Sequence, residues 1–217
     1  MKLYWASLIL IFAIDGWAQP RNSPEFFLKV KRKKIEVIKQ AADFHPNETI
    51  ADVGAGGGWL DVAFGIYYDS LHFYLEEVDS TFIKNNKLQE AITAYAKIKN
   101  SPFSCSYVQT EGNEKSTQLP ENHFDKVLLI DAFHHLDFRD DMLADLHRIL
   151  KAHGKLIMYE AIARKPGETY RSCKRVIYTR EQIVDALAKH GFRLNRIYRT
   201  VNSNRSRVRV LTFSKGE

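Results

Sequence analysis

Short apolar runs alternate with amphipathic stretches along most of the chain. Runs that suit buried strands are predicted at 50–53, 71–75, 103–108, 127–130 and 155–159. Apolar positions at helical spacing predict helices over 24–42, 59–66, 80–95, 142–150 and 180–188. Residues 192–198 and 207–213 alternate apolar and polar side chains, which predicts a terminal pair of strands joined through Asn202-Ser203-Asn204.

Strands that alternate with helices are typical of a parallel sheet covered by helices on both faces. We therefore predict an α/β fold: a doubly wound, Rossmann-like sheet of seven strands, mostly parallel with an antiparallel terminal strand. The run 127–130 is wholly apolar, as strands buried on both faces tend to be. Ligands of such sheets bind beyond the carboxyl ends of the strands, so the candidates for chemistry lie there.

The first predicted helix begins with a capping serine and a proline, Ser23-Pro24. It carries a basic run, Lys31 to Lys34. We interpret this run as the solvated side of the helix rather than as a lipid or nucleic-acid patch. No nucleic-acid partner is therefore expected.

The first eighteen residues have the pattern of a signal peptide. Lys2 gives a positive start, residues 3–14 are uncharged and mostly apolar, and Gly16 and Ala18 are small. The apolar run is shorter than the ~20 residues that span a bilayer. We predict cleavage after Ala18, export to the periplasm or the cell exterior, and a single domain over 19–217. The alternative is an uncleaved membrane anchor with a cytoplasmic domain, because the basic residues that follow are normally kept on that side.

Length and composition fit one globular domain, with 217 residues of which 45% are hydrophobic. The net charge of +6 allows attraction to anions without requiring it. Cys105 and Cys173 are too few for a disulfide framework or a metal signature. One bridge between them stays open at this point, and the alternative is one buried thiol and one loop thiol.

The clearest chemistry lies in a glycine-rich stretch that follows the first strand. It reads Asp52-Val53-Gly54-Ala55-Gly56-Gly57-Gly58 and leads into a helix. Glycine has no Cβ and tolerates positive φ, so a nucleotide can lie directly against this backbone. Trp59 stands where a dinucleotide fingerprint has its third glycine, which counts against that ligand. A purely structural glycine turn is the other alternative for this stretch taken alone.

The pattern Asp-Val-Gly-x-Gly-x-Gly resembles motif I of the class I S-adenosylmethionine (SAM) dependent methyltransferases. Segment 124–136, which ends in Phe-His-His-Leu, and segment 146–156, which contains Arg-Ile-Leu-Lys, look like the downstream region of small-molecule and quinone-type members. The chain departs from the family at Ala152 and His153, where Pro and Gly are usual. The resemblance spans roughly residues 30–160 and implies SAM as the cofactor.

The cofactor-binding residues implied by the resemblance lie in the loop and after strands two to four: Asp52, Gly54, Ala55, Gly56, Glu77, Val78, Gly112, Asn113 and Asp131. Glu77 would accept hydrogen bonds from the ribose hydroxyls, because it lies about 20 residues beyond the loop. Asp79 is expected to cap the next helix instead. Asn113 stands where the family has Asp, and its amide oxygen could still accept from the adenine amino group.

Methyl transfer from a sulfonium is an in-line displacement, so the protein mainly positions the acceptor. If the acceptor must lose a proton, Asp131, His134 and His135 are the candidate catalytic bases. The alternative is that the two histidines only shape their loop. Adjacent histidines with no third ligand at helical spacing are a poor metal site, so no metal is expected.

The insert after the fifth strand is predicted to choose the acceptor. It carries five cations, Arg164, Lys165, Arg171, Lys174 and Arg175. We expect a SAM-dependent methyltransferase that acts on a small-molecule or lipid-like acceptor of anionic character, unless these cations are merely solvated. The alternative is an exported, non-catalytic SAM- or nucleoside-binding protein of the same fold. The N-terminal segment offers a route to membrane association.

Overall fold

The computed structural model of the protein describes residues 23–199 and 207–216. Its helices are α1 (Pro24–Ala42), α2 (Trp59–Phe64), α3 (Ser80–Lys84), α4 (Lys87–Lys99), α5 (Arg139–Ile149) and α6 (Arg180–Lys189), with a 3₁₀ turn at Phe133–His135. Its strands are β1 (Thr49–Val53), β2 (His72–Glu77), β3 (Ser106–Glu111), β4 (Phe124–Ile130), β5 (Leu150–Ala161), β6 (Phe192–Arg199) and β7 (Val208–Lys215). The predicted signal peptide and the turn Asn202-Ser203-Asn204 lie outside the described residues.

The seven strands form one sheet in the order β3-β2-β1-β4-β5-β7-β6. Strands β1 to β5 pair in parallel, and β7 pairs antiparallel with both β5 and β6. The predicted fold, mostly parallel with an antiparallel strand at its end, is confirmed. The direction of winding reverses between β1 and β4, and this switch point is where sheets of this type bind ligands.

Alternation along the strands supplies a core on each face of the sheet. Ile50 and Leu128 pack with α1, α2 and α4 on one face. Ala51 and Val127, their chain neighbours, pack with α5 and α6 on the other. Because both faces are covered, the central strands had to be apolar at nearly every position.

Two helix starts follow directly from local chemistry. The Ser23 hydroxyl accepts a hydrogen bond from the Phe26 N–H at 3.1 Å, with Pro24 at the first helical position. The Thr179 hydroxyl and the Gln182 side chain cap each other's backbone N–H groups at the start of α6. These caps were predicted from the sequence pattern.

Several element boundaries differ from the prediction, among them the following three. The helix expected over 80–95 is two helices, because Asn86 adopts a left-handed φ of 56° and breaks the run. Strand β3 begins at Ser106 rather than at 103. Strand β5 begins at Leu150, directly where α5 ends, because Leu150 pairs with Phe124 at the start of β4.

Both cysteines are free thiols, so the bridge left open by the sequence is absent between them. Cys105 is half-buried, and Cys173 is exposed in the loop after β5. In the described part of the chain, no helix is long and apolar enough to cross a membrane.

Candidate functional site

The glycine loop joins β1 to α2 through three left-handed residues. Gly54, Gly56 and Gly58 have φ of 77°, 58° and 72°, which side chains rarely adopt. A Cβ at Gly58 would lie 2.8 Å from Leu75, so this glycine lets the helix approach the sheet. A Cβ at Gly56 would meet nothing within 4 Å. The loop therefore has one packed end and one open cradle.

Glu77 ends β2 directly beside this cradle. Its carboxylate accepts hydrogen bonds from the Gly56 N–H at 2.9 Å and from the Val78 N–H at 3.0 Å. The carboxylate also accepts from the Asp79 N–H, while the Asp79 side chain caps α3 as predicted. Glu77 is thus fixed at the end of the strand next to the loop, where its predicted role places it.

Glu76 is the more deeply buried of the two acids. Its carboxylate accepts from the Gly54 N–H at 3.3 Å, but its Oε1 has no hydrogen-bond partner among the described residues. Burial raises the pKa of Glu76 to about 8, and the charge of Glu77 adds to this effect. A Cβ at Gly112 would lie 1.8 Å from Glu76 Oε1, so only glycine fits there. Gly112 therefore makes room for the acid instead of lining the cavity.

A cavity of about 230 Å³ opens between the ends of β1, β2 and β4. Its lining is Val53, Gly54, Glu76, Glu77, Val78, Glu114, Ala132, His135, Leu136, Asp137 and Met142. Four of these residues are acidic and none is a lysine or an arginine. The cavity lining combines apolar side chains with acidic ones, which suits a ligand that carries positive charge.

A second pair of acids lies beneath the loop. Asp52 of β1 and Asp61 of α2 are both buried and interact with each other. Burial raises the pKa of Asp61 to about 7, and burial together with Asp61 raises the pKa of Asp52 well above its ordinary value. Both shifts favour a proton shared between the two carboxyl groups, three of whose oxygens have no hydrogen-bond partner among the described residues. Asp52 thus supports the loop from below and is absent from the cavity lining.

Asp131 ends β4 in a left-handed conformation with φ of 55°. Its Oδ2 accepts from Lys34 Nζ at 2.7 Å, and that ammonium also lies 4.7 Å from the centre of the Tyr159 ring. Lys34 therefore reaches inward from α1 and is not part of a solvated face, which corrects the interpretation of the basic run at this one position. With its charge paired, Asp131 is a weaker candidate base than the sequence suggested.

The two histidines of the 3₁₀ turn face different surroundings. His134 is buried, and its Nδ1 lies 2.9 Å from the Glu160 carboxylate oxygens. Burial lowers the pKa of His134, but the hydrogen bonds and charges of Glu160 and Cys173 together outweigh it and raise the pKa overall. His135 lines the cavity, and burial and the His134 charge lower its pKa. Of the three candidate bases, the structure brings only His135 to the cavity.

Asn113 does not reach the cavity. Its Oδ1 already accepts from the Lys115 and Ser116 N–H groups at 2.9 and 3.0 Å, in a local turn. Both acceptor positions of the amide oxygen are thus occupied, so the predicted contact with adenine is not available to it. Glu114, the next residue, lines the cavity instead.

Four residues at or near the site had no role predicted from the sequence: Asp61, Lys34, Glu114 and Glu160. Glu160 lies at the carboxyl end of β5, so the rule that selected Glu77 could have found it. Lys34 and Asp61 lie on helices that the rule does not cover, and nothing in their local patterns distinguishes them from neighbours. Ala55, by contrast, lies in the loop as predicted, with its N–H donating to the Glu76 carbonyl.

The residues around the cavity fit SAM. The open cradle at Gly56 lies beside the carboxylate of Glu77, which matches a ribose. The neighbouring cavity has acidic residues in its lining and a Glu76 oxygen without a hydrogen-bond partner among the described residues. This lining suits a sulfonium cation. Fold and site together define a nucleoside-binding α/β domain of the methyltransferase type.

Comparison with known proteins gives the family. Residues 51–158 match the family described as the methyltransferase domain. A SAM-dependent methyltransferase from Aquifex aeolicus has the same fold, with a TM-score of 0.64 at 17% identity over 88% of this chain and 98% of that one. The chain belongs to the class I SAM-dependent methyltransferases, whose cofactor is SAM.

Two curated relatives are longer than this chain. The phosphoethanolamine N-methyltransferase 2 of Caenorhabditis elegans is 24% identical over 168 residues, 74% of this chain and 36% of the relative. The ubiquinone/menaquinone biosynthesis C-methyltransferase UbiE of Shewanella frigidimarina is 28% identical over 133 residues, 60% of this chain and 47% of the relative. The chain thus spans between a third and a half of these relatives.

Proposed function

We propose that this chain transfers the methyl group of SAM to a small-molecule acceptor of anionic character by in-line displacement. The single observation that supports this most is the carboxylate of Glu77, held 2.9 Å from the Gly56 N–H beside an open cradle. A carboxylate at this place can accept hydrogen bonds from the hydroxyls of a ribose, and a glycine lets the nucleoside contact the main chain. SAM, when bound, supplies a methyl group made electrophilic by its sulfonium.

The chain's own residues supply binding and orientation. Glu77 would accept from the ribose hydroxyls, and the exposed Val78 offers an apolar surface for the base. The carboxyl group of Glu76 faces the region where positive charge is expected. The main task of the protein is to position the acceptor about 3 Å from the methyl carbon. Proton transfer is secondary, because the thioether that leaves the sulfonium is a good leaving group.

The acceptor would enter beside the 3₁₀ turn and the loop between β5 and α6. His135 and Leu136 line this side of the cavity. The loop above it carries the exposed cations Arg164, Lys165 and Arg171, which supports an acceptor with a negative group. One curated relative is named for phosphoethanolamine, which carries such a group, and the other for ubiquinone and menaquinone biosynthesis.

Calorimetry with SAM tests the binding half of the proposal. Glu77→Ala removes the ribose partner, so we expect SAM affinity to fall roughly 10- to 100-fold, as for loss of charge-assisted hydrogen bonds. Glu111→Ala is the matched control, because Glu111 is the partner of Glu77 in register on β3 and does not line the cavity. Equal affinity in the two variants would refute the assigned role of Glu77.

Transfer from SAM labelled on its methyl group tests the catalytic half. Phosphoethanolamine and a demethylated quinone precursor are the two acceptors to offer. We expect label to move to the phosphorylated acceptor, given the cations of the loop. Binding of SAM without transfer to any acceptor in a wider screen would favour the non-catalytic alternative.

A further inference from the structure

Three potential metal ligands meet at the edge of the cavity. A ring nitrogen of His134, a ring nitrogen of His135 and Sγ of Cys173 lie within 4.8 Å of one another. The two histidines come from the 3₁₀ turn after β4, and Cys173 comes from the loop after β5. The sequence argued against a metal because a third ligand was missing. The fold brings that ligand from a distant part of the chain.

The buried histidine is oriented as metal-bound histidines are. His134 Nδ1 is held at 2.9 Å by the carboxylate of Glu160, whose side chain is itself buried. A carboxylate on one ring nitrogen fixes the tautomer and the ring orientation, and makes the other nitrogen a better ligand. His134 Nε2 is therefore the nitrogen left for a metal. This arrangement is an observation independent of the cysteine.

Local contacts hold the loop of Cys173 over the turn. The loop is closed on itself by the Tyr170 N–H donating to the Arg175 carbonyl at 2.7 Å and by a bridge between Thr169 and Val176. The Tyr170 ring stacks on His134 at 5.3 Å, and Arg175 pairs with Asp137. Cys173 and His135 are exposed, so rotation of their side chains can close the set to bonds of roughly 2.0–2.3 Å.

From this arrangement we propose a transition-metal site, with Zn²⁺ as the fitting ion and with His134, His135 and Cys173 as its ligands. Imidazole and thiolate ligands select borderline and soft cations, whereas Mg²⁺ prefers oxygen. Three protein ligands leave the fourth tetrahedral position open, as in catalytic zinc sites. Since His135 also lines the cavity, the ion would lie at the edge of the cavity in which the acceptor is proposed to bind.

Cobalt titration of the full chain, purified without a histidine tag, metal-stripped and kept reduced, tests the site. We expect one Co²⁺ per chain, with a thiolate-to-cobalt charge-transfer band that excess Zn²⁺ removes. In Cys173→Ser the band disappears and affinity falls at least about tenfold. Glu160→Gln keeps the band but weakens binding roughly 10- to 100-fold, because it leaves all three ligands in place and replaces the carboxylate that holds His134 Nδ1.

Matched controls are built into the chain. Cys105→Ser removes the other thiol, which donates to the Tyr68 carbonyl at 3.4 Å, and should keep the band. His153→Ala removes an exposed histidine of β5 and should keep the affinity. A folded chain that binds no Co²⁺, or a band that is unchanged in Cys173→Ser, would overturn the proposal. The titration contains no SAM, so its outcome is independent of the proposed methyl transfer.

Discussion

At the scale of single residues, the chain concentrates buried carboxyl groups at its ligand site. Asp52, Asp61 and Glu76 are all buried around the glycine loop. A globular domain rarely buries acids without ion pairs, since desolvation disfavours the charged form. Here burial raises the pKa of Asp61 to about 7 and that of Glu76 to about 8. A cationic ligand in the cavity would favour the charged form of Glu76, which lines it, whereas Asp52 and Asp61 lie outside the lining.

These pKa shifts predict how stability changes with pH in the absence of SAM. The pKa values are higher in the folded than in the unfolded state, so the folded state binds more protons between the two values. The contribution of these carboxyl groups to the stability of the folded state is full below about pH 4. It is lost as pH rises through about 7 to 8. We expect Asp61→Asn to flatten the fall in unfolding free energy, by at most about 1.4 kcal/mol per pH unit per carboxyl.

Urea unfolding at several values between about pH 5 and about pH 8 measures this slope. Asp61→Asn keeps the side chain's shape and removes one of the two carboxyl groups of the pair, while Asp52 keeps its buried carboxyl group. Asp185→Asn, on the exposed face of α6, is the matched control and should follow the unmodified chain. Parallel profiles for the two variants would show that the buried pair does not govern the slope.

At the scale of elements, α1 and the loop between β5 and α6 enclose the site from two sides. Lys34 of α1 binds Asp131 at 2.7 Å, and Arg175 of the loop pairs with Asp137 next to the cavity. The strands position the residues that bind the cofactor. Helix α1 and the loop lie outside the sheet and carry positive charge, unlike the acidic cavity lining. We therefore propose that these two elements choose the acceptor, because they carry cations and the cavity lining has no lysine or arginine.

The cations of this loop should affect acceptor binding more than turnover. We expect the double variant Arg171→Ala, Arg175→Ala to raise KM for an anionic acceptor about tenfold, equivalent to about 1.4 kcal/mol, with little change in KM for SAM. Methyl transfer at varied acceptor concentration measures it.

The control for the loop variant is Lys189→Ala, Arg193→Ala, which removes two exposed cations at the end of α6 and in β6. It should leave both KM values unchanged. An unaltered acceptor KM in the loop variant would mean that those cations are simply solvated.

At the scale of the whole molecule, the domain is joined to an N-terminal segment that lies outside the described residues. Residues 3–14 are uncharged and followed by small residues at 16 and 18, as in a secretory signal peptide. Export stays our proposal for this chain, with an uncleaved anchor and a cytoplasmic domain as the rival. The two place the site on opposite sides of a membrane and therefore in contact with different SAM pools.

A fusion of residues 1–30 to a reporter that is active only outside the inner membrane distinguishes these placements. We expect activity, together with a mature chain that begins at Gln19 by N-terminal sequencing. A matched fusion with Ile9→Arg and Leu10→Arg, which puts charge into the apolar run, should be silent. A silent unmodified fusion would exclude export.

The local pattern determined the parallel sheet and the glycine loop, and together with the family resemblance it selected Glu77 among the acids at the end of β2. Each of these depends on short-range rules: apolar runs make buried strands, glycine permits left-handed backbone, and parallel strands end on one side. For that reason Gly54, Gly56 and Glu77 could be placed together without coordinates. The break at Asn86 escaped because one residue's φ depends on how α3 and α4 pack on their neighbours.

Only the tertiary structure decided which partners complete the site. Lys34 meets Asp131 across 97 positions of the chain, Glu160 meets His134 across 26, and Cys173 joins the histidines from another loop. Such contacts leave no periodic trace in the sequence, since each residue has ordinary neighbours along the chain. The physical reason is that side-chain charge and ligand chemistry act through space, and the fold alone sets those distances.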